Sequence, residues 1–156
     1  MTVLRDPVAR VLSLFRYLAD PESDRGHAFG APPAERDMAV DGFDRFLDRI
    51  SQTELLNQLY MFSQQLDCEE AAEHISRCSL VFFLDDMSGG MRLLSEVVGR
   101  PLPERAERRS SLRFQPTEAQ LDRLREALAV EYALMDRVRP ITGRRQRADA
   151  SAAPRS

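Results

Sequence analysis

Residues 2–20 read TVLRDPVARVLSLFRYLAD. Thr2, Val3 and Leu4 predict a short strand that stops at Arg5. Asp6 and Pro7 predict a helix start, because Asp6 can cap free backbone N–H groups and Pro7 suits the first helical position. Val8, Val11, Leu12, Phe15, Leu18 and Ala19 then recur on one helical face, with Arg10, Ser13 and Tyr17 opposite. Asp20-Pro21 ends the helix. The stretch thus sets an arginine at a strand–helix seam and a serine eight positions on. A bare scaffold does not need that arrangement, and a bound phosphate gives it a purpose.

Downstream, SLVFFL (79–84) is an apolar run too short for a helix. It predicts a strand covered on both faces, as in a parallel sheet. Between the two strands, residues 20–42 are rich in Pro, Gly and charge and read as a long structureless loop. Helices are expected at 43–50, over 53–66 and in CEEAAEHISRC (68–78). Asp85-Asp86 cap a further helix at 87–98, closed by Gly99 and Pro101. An arginine-rich linker (100–116) leads to the last helix, which starts with a Thr117–Gln120 capping box. Leu121, Leu124, Leu128, Met135 and Val138 form its buried stripe. Residues 140–156 read as a disordered tail. Two strands rarely make a stable sheet. The chain is therefore expected to be the latter part of a larger α/β domain, with open sheet edges suited to self-association or a partner chain.

The 156 residues suit one domain, 43% hydrophobic and 30% charged, which is globular in character. A net charge of −3 argues against a general nucleic-acid binder. All 22 basic residues are arginine, which we read as a GC-rich, bacterial coding bias. Any cation in a site must then be a guanidinium, matched to phosphate or sulfate. Cys68 and Cys78, without a secretion signal, suggest a reduced cytoplasmic protein. His27 and His74 add too few ligands for a zinc site, so no metal is expected. No apolar run approaches the ~20 residues of a membrane span.

LRDPVARVLSLFRYL resembles the 3′-phosphate-binding segment of the sulfotransferases that use 3′-phosphoadenosine-5′-phosphosulfate (PAPS). In that family a strand ends in an arginine followed by Asp-Pro or Asn-Pro, and a serine follows eight residues later in a helix. Arg5, Asp6, Pro7, Arg10, Ser13 and Phe15 carry the match. The layout further on is similar to bacterial members related to heparan sulfate 2-O-sulfotransferases. GFDRFLDRI (42–50) takes the place of a Phe-containing helix before an Asn-Gln element, here Asn57-Gln58. SRCSLVFFLDDMSGGMRLLSEVVGRPLP resembles the strand–helix segment that follows. The resemblance covers residues 1–139.

It implies a partial P-loop-like sulfotransferase fold in the α/β class, mostly helical with two short parallel strands. It also implies sulfuryl transfer from PAPS to a hydroxyl or amine acceptor, by a chain expected to be truncated. Arg5 and Ser13 are the implied grips on the 3′-phosphate, with Arg109 and Arg113 of the late basic loop as further candidates. The seven glycines form no Gly-x4-Gly-Lys-Ser/Thr loop for the 5′-phosphosulfate, and the chain has no lysine. No residue is identified as catalytic, and the acceptor is unknown. The alternatives are a catalytically inactive helical interaction module or a nucleotide-phosphate binder. Taken singly, Arg5 and Ser13 also fit a surface arginine and a solvent-facing serine. Arg10 fits a solvated or ion-paired residue, His27 and His74 fit bystanders, and Asp85-Asp86 fit a helix cap.

Overall fold

A computed structural model of the chain describes residues 1–20, 33–102 and 112–152. The described chain is mixed α/β, mostly helical with two short parallel strands. Strand β1 (Thr2–Leu4) pairs with β2 (Val81–Phe83), setting Thr2 beside Val81 and Leu4 beside Phe83. The Thr2 N–H donates to the Leu80 carbonyl at 2.9 Å. Backbone polar groups alternate sides along a strand. Thr2 and Leu4 therefore turn theirs to β2, and Val3 and Arg5 turn theirs to the outer edge.

Helix α1 (Pro7–Ala19) follows β1 directly. Asp6 caps it by accepting from the Ala9 N–H at 2.7 Å, and Val11, Leu12, Phe15 and Leu18 are its buried stripe. Helices α2 (Pro33–Val40) and α3 (Phe43–Arg49) come next, then two single turns, α4 (Gln52–Leu55) and α5 (Asn57–Tyr60), and α6 (Cys68–Ser76). After β2 and a 3-10 turn (Leu84–Asp86) come α7 (Met87–Val98), α8 (Glu118–Ala127) and α9 (Ala129–Ala152).

Phe15, Phe43, Phe46 and Phe114 join α1, α3 and the approach to α8 in one aromatic cluster. Phe15 lies edge-on to Phe43 at 5.0 Å and to Phe114 at 4.7 Å. Helix α7 lies over β2 through Gly90, where a Cβ would sit 2.8 Å from Cγ of Phe82. Alanine there gains helix propensity but collides with a ring that is itself buried. Gly90→Val is expected to destabilise by about 1–3 kcal/mol through overpacking, read from the urea midpoint.

Three expectations change. The loop over 20–42 contains α2, while residues 21–32 lie outside the described part. The last helix divides at Leu128 (φ −99°, ψ 6°), whose side chain is fully buried. As part of the same change, helix α9 runs through Pro140 to Ala152, across most of the segment read as a tail.

The third change is the helix expected over 53–66, which splits into α4 and α5 for a specific reason. A continuous helix would pair the Gln58 N–H with the Glu54 carbonyl and the Leu59 N–H with the Leu55 carbonyl. Here the Gln58 and Leu59 N–H groups instead donate to Oε1 of Glu131, at 2.8 and 3.2 Å. The Glu54 carbonyl accepts from Nη1 of Arg10 at 3.1 Å, and the Leu55 carbonyl accepts from Nη2. Arg10 and Glu131 join each other at 3.0 Å. The ion pair is thus a wedge driven into one helical ladder, with each charge taking the backbone partners freed by the other. Leu56, buried at the break, takes φ −103° and ψ 37°.

Candidate functional site

Arg5 stands at the C-terminal end of a parallel strand, where ligands bind in open α/β sheets. Its backbone is pinned on both sides by one side chain. The Arg5 N–H donates to Oε1 of Gln58 at 2.7 Å, and Nε2 of Gln58 donates to the Arg5 carbonyl at 2.9 Å. Gln58 acts there as a one-residue substitute for a third strand, on the outer edge where Arg5 has no strand partner.

The guanidinium contrasts with this well-held backbone. Among the described residues it makes no hydrogen bond or ion pair, although Arg5 is half-buried. The other half-buried arginines are engaged. Arg10 holds two carbonyls and Glu131, Arg16 donates to the Phe114 carbonyl at 2.8 Å, and Arg36 has partners. A guanidinium with open donors favours an anion, and its fork matches two phosphate oxygens.

Ser13 shows the same pattern. Helical serines commonly donate back to a carbonyl of the previous turn. Ser95 does so to Met91 at 2.7 Å, and Ser76 to Glu73 at 2.7 Å. The hydroxyl of the half-buried Ser13 makes no hydrogen bond among the described residues. It lies on the α1 face opposite the apolar stripe, about 10 Å along the helix axis from the cap at ~1.5 Å per residue. Arg5 and Ser13 do not bond each other, so an anion shared between them must lie alongside the first turns of α1.

The remaining candidates separate. Arg113 is exposed, and Arg109 and His27 lie outside the described residues. His74, exposed on α6, sets Nδ1 2.6 Å from the Phe62 carbonyl. Asp86 caps α7 by accepting from the Gly89 N–H at 3.2 Å, and Asp85 accepts from Arg139 at 2.8 Å. An open cleft of about 620 Å³ between α5 and α6 is lined by Asn57, Tyr60, Ser63, Glu70 and His74 among others. It includes neither Arg5 nor Ser13, and its Ser63 hydroxyl is already given to Glu70. Among the described residues no group of three or more His, Cys, Asp or Glu is placed to hold a metal ion. No described helix is long and apolar enough to cross a membrane.

Two residues that support the seam come from α9. Glu131 is fully buried, and the Tyr132 hydroxyl donates to Asp6 at 3.0 Å. One signal for Glu131 was present in the sequence. Positions 124, 128, 131, 135 and 138 follow a four-three spacing, and a glutamate occupies the middle of that otherwise apolar stripe.

Burial, followed by the bond to Asp6, pushes the Tyr132 phenol above its ordinary value. The folded state therefore favours the protonated phenol. Its contribution is complete below the unfolded value of about 10 and is lost as pH rises through the folded value. The stability advantage of the wild type over Tyr132→Phe is expected to hold up to about pH 10 and to shrink above it in paired urea titrations.

Compared with known proteins, the chain matches no family model, no curated protein and no solved structure.

Proposed function

We propose that Arg5 and Ser13 hold the 3′-phosphate of a 3′-phosphoadenosine nucleotide. On this reading the chain is a sulfotransferase-family protein with a partial P-loop-like fold, acting in the cytoplasm, where Cys68 and Cys78 stay reduced. The observation that carries the reading is the guanidinium of the half-buried Arg5, unpartnered among the described residues on a backbone held at both its N–H and its carbonyl. Ser13, a helical serine that donates to no carbonyl among the described residues, supports it. The start of α1 adds the favourable end of the helix dipole for an anion.

PAPS, when bound, supplies the sulfuryl group: the acceptor oxygen or nitrogen bonds to sulfur as the bond to the 5′-phosphate breaks. The chain's own residues suit the 3′-phosphate end, and the sequence has no Gly-rich lysine loop for the 5′ end. Arg5 orients the nucleotide through two phosphate oxygens, and Ser13 donates to a third. Arg113 and Arg109 are added as further cations that strengthen binding.

Calorimetric titration with adenosine 3′,5′-bisphosphate tests the reading. Binding by the wild type that is lost in Arg5→Ala supports it, and absence of binding by the wild type rejects it. A second reading, a helical interaction module, has its own support in the open outer edge of β1. Met1 and Val3 are exposed there, as are Val97 and Val98 on α7. A concentration-dependent dimer in sedimentation, combined with no nucleotide binding, would favour it.

A further inference from the structure

We infer that Gln58 is a positioning residue for the anion site, holding the Arg5 backbone so that its guanidinium meets the phosphate without first being ordered. The role assigned to Gln58 rests on reading Arg5 as the phosphate grip.

Gln58 is 7% exposed, and both ends of its carboxamide are given to one residue. Oε1 accepts from the Arg5 N–H at 2.7 Å, and Nε2 donates to the Arg5 carbonyl at 2.9 Å. With those two atoms committed to the protein backbone, Gln58 acts through Arg5 and not on the ligand. The anchor is itself anchored. The Gln58 N–H donates to Oε1 of the buried Glu131 at 2.8 Å, and Oε2 of Glu131 meets Arg10 at 3.0 Å. Arg10 belongs to α1, the helix that carries Ser13. The break between α4 and α5 therefore serves a purpose in the site. It detaches Gln58 from the helical ladder and ties its position to the two elements that carry the phosphate donors.

The physical consequence concerns entropy. An arginine side chain loses rotamer freedom when it grips a ligand. Fixing φ and ψ at a strand end removes the backbone share of the ordering cost before the ligand arrives. Loss of Gln58 should therefore weaken recognition of the 3′-phosphate specifically, more than it weakens contact with the rest of the nucleotide.

The test compares the affinity ratio for adenosine 3′,5′-bisphosphate over adenosine 5′-monophosphate in the wild type, Gln58→Met, Arg5→Ala and the double variant. Gln58→Met keeps length and removes both hydrogen bonds. It is expected to lower the ratio about tenfold, as loss of a supporting residue commonly does. In the Arg5→Ala background it should lower the ratio no further. General loosening of the fold would weaken both ligands together and leave the ratio unchanged. Gln58→Glu, which keeps the acceptor for the Arg5 N–H and loses the donor, should fall between and decides the matter if Gln58→Met does not fold. A folded Gln58 variant with the wild-type ratio overturns the positioning role while leaving the Arg5 reading intact. A wild type that does not prefer the bisphosphate rejects the Arg5 reading and Gln58's role with it.

Discussion

Glu131→Ala is expected to destabilise the protein by about 3–5 kcal/mol, because it strips one partner from a buried ion pair. That is a large share of the roughly 5–15 kcal/mol that holds a typical domain together. The size follows from what is left behind. Arg10 would remain half-buried beside two carbonyls without its counter-charge, and the Gln58 and Leu59 N–H groups would lose their acceptor. Each buried orphan of this kind costs about 1–3 kcal/mol.

Arg10→Met should be comparably damaging, since Glu131 would stay buried and unpaired. The pair Arg10→Met with Glu131→Leu should cost clearly less than the sum of the single changes. With both charges gone, the freed N–H and carbonyl groups stand four residues apart. The Gln58–Glu54 and Leu59–Leu55 bonds can then form, fusing α4 to α5. Urea denaturation gives the energies, and amide exchange at Gln58 and Leu59 reports the fusion. Additive costs, or a Glu131→Ala variant within 1 kcal/mol of the wild type, would show that the wedge does not hold this region.

Arg5→Ala should behave in the opposite way, with a large loss of binding and little loss of stability. Hydrogen bonds to charged groups are worth about 1.5–3 kcal/mol each, so a two-oxygen grip corresponds to at least about 100-fold in affinity for adenosine 3′,5′-bisphosphate. The guanidinium has no partner among the described residues, and the Gln58 bonds go to the backbone. Stability should therefore stay within about 0.5 kcal/mol of the wild type. Arg5→Lys should recover only part of the affinity, because an ammonium is a point charge without the fork. Ser13→Ala should cost at least about tenfold, one hydrogen bond from a hydroxyl to a charged phosphate oxygen. Calorimetry measures the first quantity and thermal unfolding the second. If Arg5→Ala unfolds the protein, or binds as the wild type does, the guanidinium is not a ligand group.

Local rules carried much of the chain. The Asp6-Pro7 start of α1, the Asp86 cap and Gly99 close of α7, and the Thr117–Gln120 box are short-range hydrogen-bond devices, and each forms where the residues predict it. Gly99 takes φ 72°, the left-handed value that glycine adopts at little cost. The two strands and their parallel pairing followed from an apolar run and a Val-Leu stub separated by helices. The seam at Arg5 was legible for the same reason, because strand end, cap and helix are adjacent in the chain.

What tertiary structure alone decided is the fate of charges far apart in sequence. Arg10 reads as a solvated or ion-paired residue of one helix and Glu131 lies far along another, yet together they split a third. Gln58 read as part of a helix, yet its carboxamide holds the backbone of Arg5 where β1 ends. Helical periodicity reports which face a residue occupies, whereas the worth of a buried charge depends on which partners long-range packing brings to it. The sequence by itself determined where backbone direction changes; only the folded chain determined which backbone groups the side chains would claim.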